Sequence, residues 1–362
     1  MSVSPPEASN KYFSDLLTKM FPGVDTSKYL LPSNNYWKSK NSYESTGGIA
    51  NWDAVKANAK GSNISLKVQQ ADPIIQQTSG IKQIGTVVFA ARDIEMSQAS
   101  DSITVSCSNT SLSGRSQSAL SIWGKGDSFL ATRGMKLDLG NGNNKIEAGM
   151  GHAAWDTGIS IGNQSSIVAG KGSDSLKAAG AKYGLWVYGS ISTGGGNDNI
   201  SGTSMTNEMG IYVAETGIIN MGDGDDVLTG ISKARSNNDD RSIYCNGMIN
   251  MGADNDRISG NTFCMSKAQG LETKLDMGSG NDSLEAILLH SSGIIDFGSG
   301  IDKMTLSKGK YQISSISGGG YSILSTDTQH MYGGEKIYGL EFIVSAAKAT
   351  QYAVTPGILN VA

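Results

Sequence analysis

Six aspartates, Asp174, Asp198, Asp226, Asp256, Asp282 and Asp302, stand in the same place of a phrase that recurs along the chain. The phrase is an apolar residue, Gly-x-Gly-x-Asp or a near version, then x-apolar. Its copies read AGKGSDSL (169–176), TGGGNDNI (193–200), MGDGDDVL (221–228), MGADNDRI (251–258), MGSGNDSL (277–284) and FGSGIDKM (297–304). A further copy, LGNGNNKI (139–146), carries Asn144 at the aspartate position. Carboxylates and glycine-turn carbonyls form an oxygen-only donor set, which suits Ca²⁺ rather than Zn²⁺ or copper. The candidate ligand positions are the six aspartates, Asn144 and the second glycines Gly172, Gly196, Gly224 and Gly280. If the copies stack about 5 Å apart, each neighbouring carboxylate pair costs about 3 kcal/mol unscreened at an effective dielectric near 20. One row of aspartates therefore calls for a cation or for exposure to water. The plainer reading is a tight turn in which Asp bonds its own backbone. One copy would not choose between the two; six at one phase favour calcium, with each site shared by two turns so that binding and stacking are one event.

The spacing says what must hold these turns. Successive copies are 30, 24, 28, 30, 26 and 20 residues apart, which is a solenoid period. Each period holds short apolar stretches: one upstream, such as YGLWVYG (183–189) or RSIYCNG (241–247); one entering the turn, such as GIINMG (217–222) or GMINMG (247–252); and one leaving it, such as VLTG (227–230) or RISG (257–260). Three strands per coil, with glycine at the corners, predict an all-β parallel β-solenoid, β-roll or β-helix like, of about seven or eight coils. Met221, Met251 and Met277 recur at one phase and are expected to face inward as core rather than as a cofactor site. SIWGKGDSFLATRG (121–134) reads as a worn earlier copy, with Asp127 one place early. The expected division is an N-terminal attachment or capping region (1–70), a solenoid (71–304) and a C-terminal cap (305–362). A short amphipathic helix is expected within NKYFSDLLTKMF (10–21), and strands at GTVVFAA (85–91) and DSITVSC (101–107). The aromatics Tyr36, Trp37 and Trp52 are expected to pack the N-terminal region onto the first coil rather than to stack on sugars.

The turns resemble the RTX (haemolysin-type) calcium-binding repeat, GGxGxDx-apolar-x, over about residues 121–304. MGDGDDVL and MGSGNDSL match it closely. The chain departs from that family in having one motif per coil instead of a nine-residue tandem, in Asn144, and in Asp254, which replaces a glycine. The resemblance implies a right-handed parallel fold that binds Ca²⁺ between turns, and export by a type I system that reads an uncleaved C-terminal signal; the family has turns on both edges, and one motif per coil leaves calcium turns on one edge here.

Composition removes other classes. A formal charge of −4, from 29 Lys plus Arg against 33 Asp plus Glu, argues against general electrostatic grip on nucleic acid. Glycine is abundant (47) and proline scarce (6), which suits frequent orderly turns rather than a linker or collagen. No apolar run of 18 residues appears, so no transmembrane helix is expected. Cys107, Cys245 and Cys264 form no CxxC or zinc pattern, and the N-terminus shows no Sec-type signal. His152, His290 and His330 lie far apart without partners, and no nucleophile or phosphate-loop motif is present. The expected function is non-enzymatic: a calcium-binding structural or adhesive protein of a cell surface, folding after export because extracellular calcium sites have dissociation constants near 10⁻⁴–10⁻³ M. Expected partners are Ca²⁺, a surface glycan or other surface proteins, and further copies of the chain. Two alternatives stand beside it. One is a virion protein such as a trimeric phage tail fibre or spike. The other is a polysaccharide lyase or epimerase working from one sheet face, with Tyr212 or Tyr244 as candidates.

Overall fold

The computed structural model describes residues 98–107, 118–123, 136–149, 156–206, 208–233, 241–266, 273–288, 291–326 and 333–362. It also gives the backbone of short strands between Ser42 and Glu95. The helix expected near 11–21, the aromatics Tyr36, Trp37 and Trp52, the three histidines and Asp127 lie outside the described residues.

Alternating apolar positions, short strands and glycine corners give the architecture anticipated from the repeat. The chain circulates through three long sheets, two of twelve strands and one of nine, and the strands of neighbouring coils pair parallel. One circuit runs from a back sheet (Tyr183–Val187) to an entry sheet (Ser190–Gly195). It then passes through the Gly-x-Gly-x-Asp turn to an exit sheet (Asn199–Ser204). The next circuit repeats this with Ile211–Val213, Ile218–Asp223 and Val227–Ser232. The described residues are all-β with no helix, and the regular part of the stack makes about five turns. The sheets continue beyond it on both sides through shorter or interrupted strands. No helix among the described residues is long and apolar enough to cross a membrane.

Register explains the core. On the entry sheet Ile167, Ile191, Ile219, Ile249, Leu275 and Ile295 are successive cross-strand partners, all buried. Two residues on, Met221, Met251, Met277 and Phe297 are fully buried, so the methionine ladder is core. The exit sheet supplies Leu176, Ile200, Leu228, Ile258, Leu284 and Met304 in one row. Strand alternation puts the intervening residues outside. On the back sheet this makes an external stack in which the Tyr212 ring lies 5.3 Å from Trp186 and 5.8 Å from Tyr244. The two tyrosines considered for catalysis are thus committed to stacking on each other. Cys245 points inward, while Cys264 pairs in register with Tyr244 on the outer side, and both are free thiols.

The expected worn copy at 121–134 is corrected. Ser118–Trp123 is a back-sheet strand paired with Thr157–Ile161, so SIW cannot enter a turn. The array does begin earlier, but through another segment described below. At the far end the repeat yields to antiparallel strands. Gly309–Ser315, Tyr321–Ser325 and Gly357–Val361 extend the entry sheet, and Gln351–Ala353 ends the exit sheet. Antiparallel closure changes the pairing pattern at this end of the sheets.

Glycine is required where turns approach. A Cβ on Gly252, whose φ is +116°, would sit 1.7 Å from the carbonyl oxygen of Gly222 in the preceding coil. A Cβ on Gly195 would meet nothing within 4 Å. Gly252→Ala should therefore cost about 2–5 kcal/mol, from backbone strain plus a backbone clash. Gly195→Ala should change stability by less than about 0.5 kcal/mol. Chemical denaturation of both variants checks the pair; equal effects would show that the turns are not closely stacked.

Candidate functional site

Each Gly-x-Gly-x-Asp turn joins the entry strand to the exit strand, and parallel register stacks all the turns along one edge. The six aspartates and Asn144 form one inward column, each no more than 5% exposed. Their positions are fixed by a repeated bond between coils. Oδ1 of each aspartate accepts the backbone N–H of the equivalent residue one coil earlier. The donors and acceptors are Asn144 to Asp174 (2.6 Å), Asp174 to Asp198 (2.7 Å), Asp198 to Asp226 (2.7 Å), Asp226 to Asp256 (2.9 Å), Asp256 to Asp282 (2.8 Å) and Asp282 to Asp302 (2.7 Å). The carbonyl of each rung accepts the N–H that follows the next rung, for example Val227 to Asp198 at 2.9 Å and Arg257 to Asp226 at 2.9 Å.

The column extends past both ends of the sequence motif. Asp101 donates its N–H to Asn144 Oδ1 (2.9 Å), and QASDSI (98–103) lies in register with NGNNKI (141–146). It is a turn copy with Ala99 in place of the second glycine. At the other end Asp302 donates its N–H to Glu341 Oε2 (2.7 Å). Tyr338 and Phe342 pair with Asp296 and Lys303, so YGLEFI (338–343) is a shortened turn in which the longer Glu side chain spans the missing residues.

A second ladder runs outside the first, wherever the residue just before the inner rung is Asn or Asp, with a gap between Ser173 and Asn197. Asn143 Oδ1 accepts from Ser173 N–H (2.9 Å), Asn197 from Asp225 (3.2 Å), Asp225 from Asn255 (2.9 Å), Asn255 from Asn281 (2.9 Å) and Asn281 from Ile301 (2.9 Å). Here the donor belongs to the later coil, so the two ladders point in opposite directions. The recurrent Asn in the copies was the sequence signal for it.

The second glycines Gly172, Gly196, Gly224 and Gly280 form a neighbouring column, all with positive φ between 119° and 144°. In the turn 251–258 Asp254 takes that place with φ +76°, an uncommon conformation for a non-glycine residue. An ideal Cβ on Gly172, Gly196 or Gly224 would lie 2.3–2.5 Å from the carbonyl oxygen of the glycine below, so these carbonyls point along the stack.

The inner column is chemically unfinished. Oδ2 of Asp174, Asp198, Asp226, Asp256, Asp282 and Asp302 is buried in every case and has no hydrogen-bond partner. The hydroxyl of Thr193, beside Asp198, gives its proton to the Met221 carbonyl instead (2.8 Å). Asn144 is the internal control. Its Oδ1 does what the aspartate Oδ1 atoms do, while its Nδ2 donates to the Gly142 carbonyl of its own turn (3.1 Å). Both side chains are planar and make the same Oδ1 bond from the same register position, which implies that each aspartate Oδ2 faces the side that the amide nitrogen faces at Asn144. Where Asn144 puts a donor against a carbonyl oxygen, the aspartates put a second acceptor. Such a pair needs a proton or a cation between its members.

Burial is the first cause pushing these carboxyls up from their ordinary range, against the N–H bonds that pull them down. Asp256, flanked by Asp226 and Asp282, reaches about 8, and Asp226 about 7. Asp174, Asp282 and Asp302 reach about 6, and Asp198 is raised. Among the described residues no three His, Cys, Asp or Glu side chains converge as a metal cluster. A cation in the column would thus draw much of its shell from turn carbonyls. The residues present fit a hard, oxygen-seeking ion, for which an orphaned carboxylate oxygen in each rung and an adjacent glycine carbonyl are suitable donors.

Comparison with protein-family models, with curated proteins and with solved structures found no match to this chain.

These shifts fix the behaviour of the metal-free protein. A folded-state pKa above the unfolded value near 4 means that the folded chain binds more protons than the unfolded chain. That contribution is whole below pH about 4 and disappears as pH rises through the range 6–8. In excess chelator the melting temperature should fall between pH 5.5 and pH 8.5. A melting temperature that rises over this interval would show that the rungs ionise without cost.

Proposed function

We propose that the chain is a non-enzymatic β-solenoid whose turn column takes up Ca²⁺, and that it serves as a structural or adhesive rod outside the cell. The observation that carries this reading is the set of six buried Oδ2 atoms without a donor, in a column where the Asn144 amide is satisfied by its own turn. Bound calcium would supply the positive charge that lets adjacent carboxylates stay ionised at neutral pH. The aspartates would hold it through Oδ2, and the second glycines of the turns through their carbonyls.

Affinity argues for location. EF-hand affinity rises with the number of charged ligands and with the rigidity of the site. A rung with one carboxylate oxygen to offer, and no acidic cluster around it, belongs at the weak end, near 10⁻⁴–10⁻³ M. Such sites stay empty at cytosolic calcium and fill outside. The same coupling makes assembly of the coils follow export, since the stack and the ion are stabilised together.

Thermal unfolding of the full chain, followed by circular dichroism at pH 7.5 in excess EGTA and then in about 5 mM CaCl₂, tests the reading. At those dissociation constants each filled site adds about 1–2 kcal/mol, so six sites should move the transition of a chain of this length by roughly ten degrees, whereas Mg²⁺ should move it little. An unchanged melting curve in calcium would sink the proposal and leave a solenoid whose rungs carry protons.

A further inference from the structure

The column does not end arbitrarily at its N-terminal side. Asn144 is 1% exposed, sits in register with six aspartates, and differs from them in a single atom pair. Its amide nitrogen reaches the Gly142 carbonyl at 3.1 Å, with the Asn141 carbonyl at 3.5 Å. The orientation of the amide is not arbitrary, because the Asp101 N–H at 2.9 Å requires an oxygen opposite it. The N–H₂ group therefore lies where the other rungs leave an unpartnered Oδ2.

We infer that Asn144 is a built-in stop for the cation column: its amide takes over, with its own protons, the place that calcium fills at the aspartate rungs. This rests on the calcium reading and adds which rungs are closed to metal. The coil pair Asp101–Ala148 is then held without an ion. Calcium governs only the coils from Asp174 onward, and the metal-dependent part of the rod grows on a coil whose own rung needs no ion. The outer ladder supports the same division, since Ser100 Oγ accepts the Asn143 N–H at 3.0 Å and Asn143 Oδ1 accepts the Ser173 N–H at 2.9 Å. The turn before Asn144 is thus tied on both sides by side chains that need no cation.

The test is a calcium count on the full chain, by equilibrium dialysis and elemental analysis, for the wild type and two variants. Asn144→Asp restores the carboxylate and should bind at least one calcium equivalent more than the wild type. Asp174→Asn moves the stop one rung inward. It should bind fewer equivalents and melt higher than the wild type in EGTA, because its new amide reaches the Gly172 carbonyl. A folded Asn144→Asp protein with an unchanged count overturns the inference while leaving calcium binding intact. If Asn144→Asp does not fold, Asp174→Asn decides: an unchanged count, or a lower melting point in EGTA, overturns it. A wild type that binds no calcium overturns the calcium reading as well, and the two failures are distinguished by that first count.

Discussion

One bond organises this protein: a backbone N–H in one coil donating to a buried carboxylate oxygen in the next. It recurs at every rung from Asn144 to Asp302, with an amide oxygen taking the carboxylate's place above Asp101 and Glu341 taking it beyond Asp302, and it ties the coils together at the one corner whose length is constant through those rungs. The spacing between rungs varies from 20 to 30 residues within the motif array, yet register is kept. The variation is absorbed at the other two corners, where the Met265–Lys274 connection from back to entry sheet is longer than the Val187–Ser190 one. The Ser204–Ile211 connection, for instance, is longer than the Gly180–Tyr183 one. The turn cannot stretch in that way, because its glycines lie against carbonyl oxygens of the coil below. A buried row of like charges is an expensive organiser, and the outer Asn ladder shows that the same connection can be made with neutral amides. The retention of aspartate where asparagine would satisfy the geometry is the main reason to read the column as a binding device.

Much of this was legible in the residues. The period, the three strands per coil and the inward methionines follow from spacing and alternation, which depend on local chemistry alone. The aspartate column was legible for the same reason. Its ends were not. Asp101 lies 43 residues before Asn144 in a turn without glycine, and Glu341 lies 39 residues after Asp302 in a turn three residues shorter. Both are recognisable only once neighbouring strands pair, because it is register that puts them in the column. SIWGKGDS misled for the complementary reason: it has the glycine spelling, but its strand pairs on the back sheet. The chemical state of Oδ2 was equally hidden, since it depends on Asn144 showing what a satisfied rung looks like.

The back sheet illustrates how position limits role. Trp186, Tyr212 and Tyr244 carry the residue types of sugar-binding platforms, but Tyr212 and Tyr244 stack face to face and Trp186 meets Tyr212 edge to face. Arg241, 5.0 Å over the Tyr244 ring, covers the end of that stack. Aromatic rows of this kind bind coil to coil on the outside as the leucine and isoleucine rows do inside.

The opposed directions of the two turn ladders have a consequence for how such a molecule changes length. On the inner ladder each coil from Asp174 to Asp302 presents one donor and one acceptor to its neighbours, so at that rung its upper and lower surfaces match those of the other aspartate coils. Removing or duplicating a whole circuit leaves a junction chemically identical to the one it replaces. The glycine-free turn at Asp101, the amide rung at Asn144 and the shortened turn at Glu341 depart from this pattern. Length is therefore an adjustable quantity along the aspartate rungs of this architecture, one whole circuit at a time.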